Sequence, residues 1–453
     1  MTPRRIVLLG GGYVSLFAYR ALRPAIRSGS VQVTVLSADS HHNFHGFTGE
    51  VVAGWLPHRL TRAPLATLMP LAEVVHGTVR RVDRPGRTAV VAPADGTPDR
   101  LVGYDQLVVA AGGREPLAAI PGLATHGYSL RGPGEFERFL DRLDLLVRAE
   151  ATEPVVIVGG GLAGVELAAA VAHRLRLRRA EMPVVLVHSG DRLLPGAPPR
   201  MAAVARRELA RLGVVTRLGV RVLRVSDSGV QLSGGGTVPA AAVLATHGQR
   251  PVAIPGLADL VHDERGRLVV DPTFRAADTI WAAGDAARVA HPATGDPVPA
   301  NALWAIKAGA HLGRNLRRVV GGRNAGRFRY RGLGQAMAFG VGRSAAELYG
   351  VPLSGWAGWL LRLAFFLRFM PLRRQAFGVL AALMTRPGRG RHPARSAELA
   401  QGAPRPARNA VTSAQPSGQP PSPLAELTWP AAPTLTTGTP QPSASRRVVG
   451  GVA

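Results

Sequence analysis

Four apolar residues, Ile6–Leu9, run into the glycines Gly10–Gly12, and apolar positions then recur at helical spacing over Val14–Arg27. The short run predicts a buried strand and the recurring pattern a helix. The alternating, β-branched stretch Val31–Ser37 predicts a second strand. Together they make a βαβ unit of about thirty residues. The pattern returns later in the chain: an apolar run at Val155–Val158, glycines from Gly159, a helical stretch over Gly161–Arg174 and a strand at Val184–Val187. Further strands are expected at Val74–Val82, Thr88–Ala92, Gln106–Val109, Val220–Val225, Ala242–Leu244 and Thr279–Trp281. Strands alternating with helices predict an α/β fold with parallel sheets.

Each glycine run lies between a predicted strand and a predicted helix, as Gly10-x-Gly12 and as Gly159-x-Gly161-x-x-Gly164. In that setting the first glycine permits a tight turn and the second lets a pyrophosphate approach the backbone. The third allows close packing of helix on strand. The helix N-terminus then offers unpaired N–H groups and a positive dipole end to the phosphates. Ser15 occupies the third position of the first copy, and it is small enough to pack there. Two such units imply two dinucleotides on one chain. A flavin dinucleotide facing a nicotinamide dinucleotide is the pairing that gives a reaction, because the second passes hydride to the first. The stretch "TIWAAGDAARV" adds a strand, then Gly284-Asp285 and an expected helix start.

These motifs resemble the two-dinucleotide flavoproteins, the pyridine nucleotide-disulphide oxidoreductase superfamily. "YDQLVVAAGG" (Tyr104–Gly113) matches another of its signatures, with Ala111 where threonine is usual. The resemblance implies two Rossmann-like domains, with the NAD(P)H domain inserted in the FAD domain. It gives the first cradle to FAD, through Gly10, Gly12, Ser15, Ser37, Asp39, Val79, Ala110, Gly112 and Gly284, with Asp285 on the ribityl chain. It gives the second to NAD(P)H, through Gly159, Gly161, Gly164 and His188. The implied boundaries are 1–125 and 250–335 for the two parts of the FAD domain and 126–249 for the NAD(P)H domain. A C-terminal amphipathic helical segment at the membrane interface, 336–385, and a disordered tail, 386–453, follow.

"GGGLAGVELA" (Gly159–Ala168), "HSGDRLLPG" (His188–Gly196) and "GLGQAMAFGVGRSAAEL" (Gly332–Leu348) narrow the resemblance to type II NADH:quinone oxidoreductases. It implies a non-proton-pumping NAD(P)H dehydrogenase passing electrons through FAD to a quinone, with Glu166 near the nicotinamide–flavin stack. The sequence departs from the family in three further places. Ser37 and His188 stand where an acid usually bonds the ribose hydroxyls; Asp39 lies two residues past the first, and Arg192 close after the second. The two quinone-site glutamines are replaced by Leu303 and Lys307. Lys307 is expected to take over the donor role, so it joins Glu166 as a catalytic candidate.

Composition changes this picture little. The chain has no cysteine, which excludes disulfides, thiolate metal sites and a redox-active cysteine pair. The net charge is +26, but Lys307 is the only lysine and the arginines are spread over the whole chain without interleaved aromatics, which argues against a nucleic-acid site. His41, His42 and His45 have no suitably spaced carboxylate or cysteine partner, so no metal is expected. Gly355–Met370 combines Trp356, Trp359, Phe366 and leucines with Arg362 and Arg368. It is too short and charged to span a bilayer, which takes about 20 apolar residues. It is expected to lie in the interface, arginines toward headgroups, on the inner face of the cell membrane. From Arg386 the chain is rich in Pro, Ala, Ser and Thr, with Trp429 its one aromatic residue, a composition too polar to order itself. A soluble electron acceptor, and a non-catalytic NAD(P)H sensor, are the competing functions. A homodimer is compatible with all of them.

Overall fold

The computed structural model describes residues 2–385, so the expected disordered tail lies outside the described residues. An eight-stranded sheet has the order Arg275–Ala277, Ile280–Ala282, Gln106–Val109, Arg4–Leu9, Val31–Ser37, Glu73–Asp83, Thr88–Pro93, Arg100–Gly103. Its central strands are parallel. Ile6–Leu9 are buried, which is why that strand is a continuous apolar run: a parallel strand is covered on both faces. Removing each such side chain from water contributes about 2 kcal/mol.

A second sheet, of five parallel strands, has the order Gly127–Tyr128, Ala242–Ala245, Val155–Val158, Val184–Val187, Val215–Arg217. Its strands fall between two groups of strands belonging to the first sheet, so one Rossmann-like domain is inserted in the other. The longer helices are α1 (Tyr13–Arg27), α2 (Thr48–Val52, a single turn), α3 (Glu135–Arg148), α4 (Leu162–Leu177), α5 (Pro199–Arg211), α6 (Ala302–Val320), α7 (Gly355–Phe369) and α8 (Arg373–Met384).

Helix α6 lies on α1 at backbone contact. A Cβ at Gly309 would run into the Val14 carbonyl, and one at Gly313 into that of Ala18. The expected helix after Asp285 is corrected here. Gly284–Ala286 is a single 3-10 turn, and the helix begins only at Ala302. Pro292, Pro297 and Pro299 lie between them and deny the chain the N–H groups a helix needs. Asn301 then caps α6, its Oδ1 accepting the Trp304 N–H at 3.0 Å. The C-terminal segment is not helical throughout. Gly334–Gly340, Arg343–Leu348 and Val351–Ser354 form an antiparallel sheet before α7.

Candidate active site

The first cradle is formed where strand Arg4–Leu9 turns into α1. Gly10 has φ +108°, and a Cβ there would sit 2.5 Å from the Ala110 carbonyl oxygen. A side chain at Gly11 would strike Leu65 and Ser37, whereas one at Gly12 would meet nothing within 4 Å. Gly12 is the N-cap of α1 and provides no side-chain bond, so the cap leaves the first-turn N–H groups without a side-chain partner. Those features fit the pyrophosphate of a dinucleotide. Ser15 is fully buried, and its hydroxyl has no hydrogen-bond partner. Gly112, with φ +71°, also faces open space. Val79 lies on strand Glu73–Asp83 opposite Val91.

Strand Val31–Ser37 ends in a closed turn. The Ser37 hydroxyl donates to the Asp39 carbonyl at 2.7 Å. The Asp39 carboxylate accepts from the His41 N–H and from Asn43 Nδ2, each at 2.9 Å, and lies 3.4 Å from Arg62. His42, buried beside the cradle, donates through Nδ1 to the Gly11 carbonyl, 3.0 Å away. The carbonyl can only accept, so Nδ1 carries the proton. Burial pushes the His42 pKa down to about 4, and the ring is neutral at physiological pH.

The Gly284–Ala286 turn is pressed against α1. Gly284 has φ +69°, and a Cβ would lie 2.9 Å from Val14 Cγ2. Asp285 is 3.3 Å from Arg131 Nη1. With its amide oriented to satisfy both ends, Gln249 donates to Asp285 at 2.7 Å and accepts from Arg131. Arg131 also pairs with Glu115 at 3.4 Å. Asp285 borders a cavity of about 260 Å³ that Arg250, Arg265, Arg267 and Trp304 help to line. None of these arginines stands out in the sequence, because separate segments of the chain line the cavity.

The second cradle repeats the first. Gly159 has φ +119°, and its Cβ would lie 2.6 Å from the Thr246 carbonyl oxygen. A Cβ at Gly164 would collide with the Gly159 carbonyl, and one at Gly161 would meet nothing within 4 Å. Gly161 caps α4 without a side-chain bond. At the end of strand Val184–Val187, the His188 Nδ1 accepts the Gly160 N–H at 3.1 Å. Burial lowers the His188 pKa, so the ring is neutral, with its proton on a buried Nε2 that has no partner. Arg192 donates to the Pro195 carbonyl at 2.6 Å. A neutral ring neither repels a 2′-phosphate nor binds both ribose hydroxyls as a carboxylate does. NADH and NADPH are therefore expected to serve comparably. Steady-state kcat/KM for the two should differ by less than about tenfold, and an NADH preference above about a thousandfold would remove His188 from this role.

Glu166, on the first turns of α4, is joined to two residues far from it in sequence. Arg362 of α7 places Nη2 2.6 Å from Glu166 and Nη1 2.5 Å from Glu50 of α2. It also donates to the Gly46 carbonyl at 2.9 Å. Glu50 and Arg362 are both buried. Desolvation raises the Glu166 pKa, Glu50 adds to the rise, and the guanidinium opposes it. This corrects the expectation that Arg362 faces lipid headgroups. Its charge is turned inward, where two carboxylates and a carbonyl replace its water.

Lys307 lies elsewhere. It is exposed on α6, with Nζ 5.8 Å from the centre of the Tyr330 ring, while Leu303 one turn earlier is buried. No hydrogen bond or ion pair among the described residues links Lys307 to Glu166. On α7 and α8, Trp356, Leu360, Phe377, Leu380 and Met384 are exposed. Among the described residues no helix is long and apolar enough to cross a membrane, and no group of His, Asp or Glu is arranged to hold a metal.

Two phosphate cradles on two sheets, one inserted in the other, define a flavoprotein oxidoreductase of the two-dinucleotide class. Residues 4–309 match the family model of the pyridine nucleotide-disulphide oxidoreductases, and the chain belongs to that family. It is 26% identical over 393 residues to the demethylphylloquinone reductase NdbB of Synechocystis sp., covering 84% of this chain and 96% of that one. It is 21% identical over 382 residues to the type II NADH:quinone oxidoreductase of Staphylococcus aureus, covering 78% and 91%. Its fold is similar to the NDH2 structure from Plasmodium falciparum in complex with NADH. The TM-score is 0.75 at 13% identity, over 84% of this chain and 98% of that one.

Proposed function

We propose that this protein is an FAD-dependent NAD(P)H:quinone oxidoreductase. The observation that carries the proposal is the pair of glycine cradles in a chain without cysteine. A dithiol relay has no residues to form it, so electrons pass from the flavin directly to an external acceptor. FAD, when bound, supplies the group that takes hydride and hands electrons on. Gly10, Gly12 and the first turn of α1 hold its pyrophosphate, and Asp285 holds its ribityl chain. Gly159, Gly161, Gly164 and the first turn of α4 hold that of NAD(P)H. Arg362 fixes α4 against α2, which orients the two cradles. The relatives' printed activities, reduction of demethylphylloquinone and NADH:quinone oxidoreduction, support a quinone as acceptor. The exposed apolar side chains of α7 and α8 support attachment to a membrane surface, and an NAD(P)H-consuming enzyme of this kind belongs on its inner face.

The proposal is tested by anaerobic titration of the purified flavoprotein with NADH and NADPH, then addition of a quinone. Bleaching of the flavin and its return on adding quinone are expected. Bleaching without return would favour a soluble acceptor, and no bleaching a sensor. Lys307 is proposed to donate to the quinone and to stabilise the negative charge that develops on it. Lys307→Met should slow quinone reduction about tenfold and leave flavin bleaching unchanged. Equal effects on both half-reactions, or none, would exclude it from the acceptor site.

A further inference from the structure

The C-terminal half of α5 carries a buried carboxylate, Glu208, that is 5% exposed. Three arginines surround it. Arg343 Nη1 lies 3.1 and 3.2 Å from its two oxygens, Arg211 Nε 3.0 Å, and Arg207 Nε 4.0 Å. One negative charge among three guanidinium groups leaves a positive surplus. In the hydrogen bonds of the described residues Arg343 commits Nη1 alone, so its remaining donors stay available. Arg207 is 73% exposed.

Arg207 and Arg343 border a cavity of about 340 Å³ whose other walls include Ser344, Ser354, Gly355 and Trp356. The cavity is lined on one side by the nicotinamide half and on the other by the start of α7. Ser354 caps α7 without a side-chain hydrogen bond, so the hydroxyl that lines the cavity is not spent on the helix. Trp356 packs over Gly342, where any Cβ would strike its indole, yet it remains 62% exposed. Leu360 follows one turn along α7 and is also exposed. Glu208 also lines the cavity and Ser344 spends its hydroxyl on the Gly355 carbonyl at 2.9 Å, but the Ser354 hydroxyl is uncommitted and the guanidinium groups outnumber the carboxylate. Planar guanidinium forks over such a concave wall suit a phosphate. An exposed tryptophan at the rim, continuous with an apolar strip, suits the level of lipid headgroups.

We propose that this cavity binds the phosphodiester of an anionic phospholipid headgroup, seating the enzyme on the membrane at a fixed orientation. The proposal rests on the reading that α7 and α8 meet a membrane, and it adds a specific headgroup site to that contact. A free phosphate has the same chemistry. The tryptophan and the apolar strip beside the arginines favour the lipid.

The test uses the full-length holoenzyme and vesicles of phosphatidylcholine, alone or mixed with phosphatidylglycerol, in sedimentation assays. Binding should be stronger with phosphatidylglycerol. Arg207→Gln should weaken it about fivefold, the effect of one well-placed basic residue, and Arg207→Gln with Arg343→Gln more. Arg224→Gln, at an exposed arginine on strand Val222–Ser226, is the control for net charge and should have little effect. Flavin content and melting temperature report whether each variant is folded, and Arg207→Gln decides alone if Arg343→Gln is not. Equal binding to both vesicle types would overturn the headgroup site while leaving membrane attachment intact. Binding to neither would overturn both. Equal weakening by Arg207→Gln and Arg224→Gln would show diffuse attraction and overturn the site. Displacement from vesicles by inorganic phosphate at low millimolar concentration would assign the cavity to the free anion instead.

Discussion

Asp285→Ala should purify almost free of flavin. The carboxylate sits on a turn that only glycine at position 284 lets approach α1, so its position is set by backbone packing. Its removal takes a charge-assisted hydrogen bond from the proposed ribityl contact, on the order of 2–3 kcal/mol, which is about thirty- to a hundredfold or more in affinity. The fold should survive, because Arg131 keeps its pairing with Glu115 and Gln249 can turn to solvent. The ratio of flavin to protein absorbance, followed by titration of the stripped protein with FAD, measures both parts. A variant that purifies with full flavin would remove Asp285 from the site.

The second large effect is expected at Arg362. Arg362→Leu leaves Glu50 and Glu166 facing each other with no counter-charge, and Glu50 is 3% exposed. Breaking a buried ion pair by removing one partner costs about 3–5 kcal/mol. Melting temperature should fall by roughly 5–10 °C at pH 8. The sign of the pH dependence follows from the variant. Glu166 already has a raised native pKa, and without the guanidinium that opposes the rise, repulsion and desolvation hold it further above the unfolded value. Stability is then retained at low pH and lost as pH rises through the lifted pKa. The variant should therefore recover towards wild type near pH 5, and Glu50→Gln in the same chain should restore part of the loss at pH 8. A variant that melts like wild type at both pH values would show that the triad does not fasten α7 and α4 to α2.

The triad also explains why α7 is a poor candidate for a detachable anchor. Trp359, Leu363 and Met370 are buried in a cluster with Phe44, Phe47 and Leu56 from the flavin half. The large apolar residues left to meet another surface are Trp356 and Leu360 on α7 with Phe377, Leu380 and Met384 on α8. Membrane contact is thus best tested with substitutions at those exposed positions. A truncation would uncover Glu50 and Glu166 as well as remove the apolar face.

The two βαβ units and their glycine turns are legible in the residue pattern. Val31–Ser37, Gln106–Val109, Val155–Val158 and Val184–Val187 are strands with the ends the pattern predicts. That legibility is physical. A strand covered on both faces must be apolar throughout, and the tight turn after it needs positive φ, which leaves a glycine in the sequence. The antiparallel strands from Gly334 to Ser354 and the late start of α6 were not legible, because polar and small residues there are set by neighbours far along the chain. Tertiary structure alone decided what the charged side chains do. Arg362 and Arg368 occur in one helical stretch, yet the first is buried between two carboxylates and the second is exposed. Lys307 and Leu303, one turn apart, divide the same way. A charge in a helix reads alike in sequence whichever face it occupies. The partner that makes its burial affordable, Glu50 for Arg362, lies more than three hundred residues away.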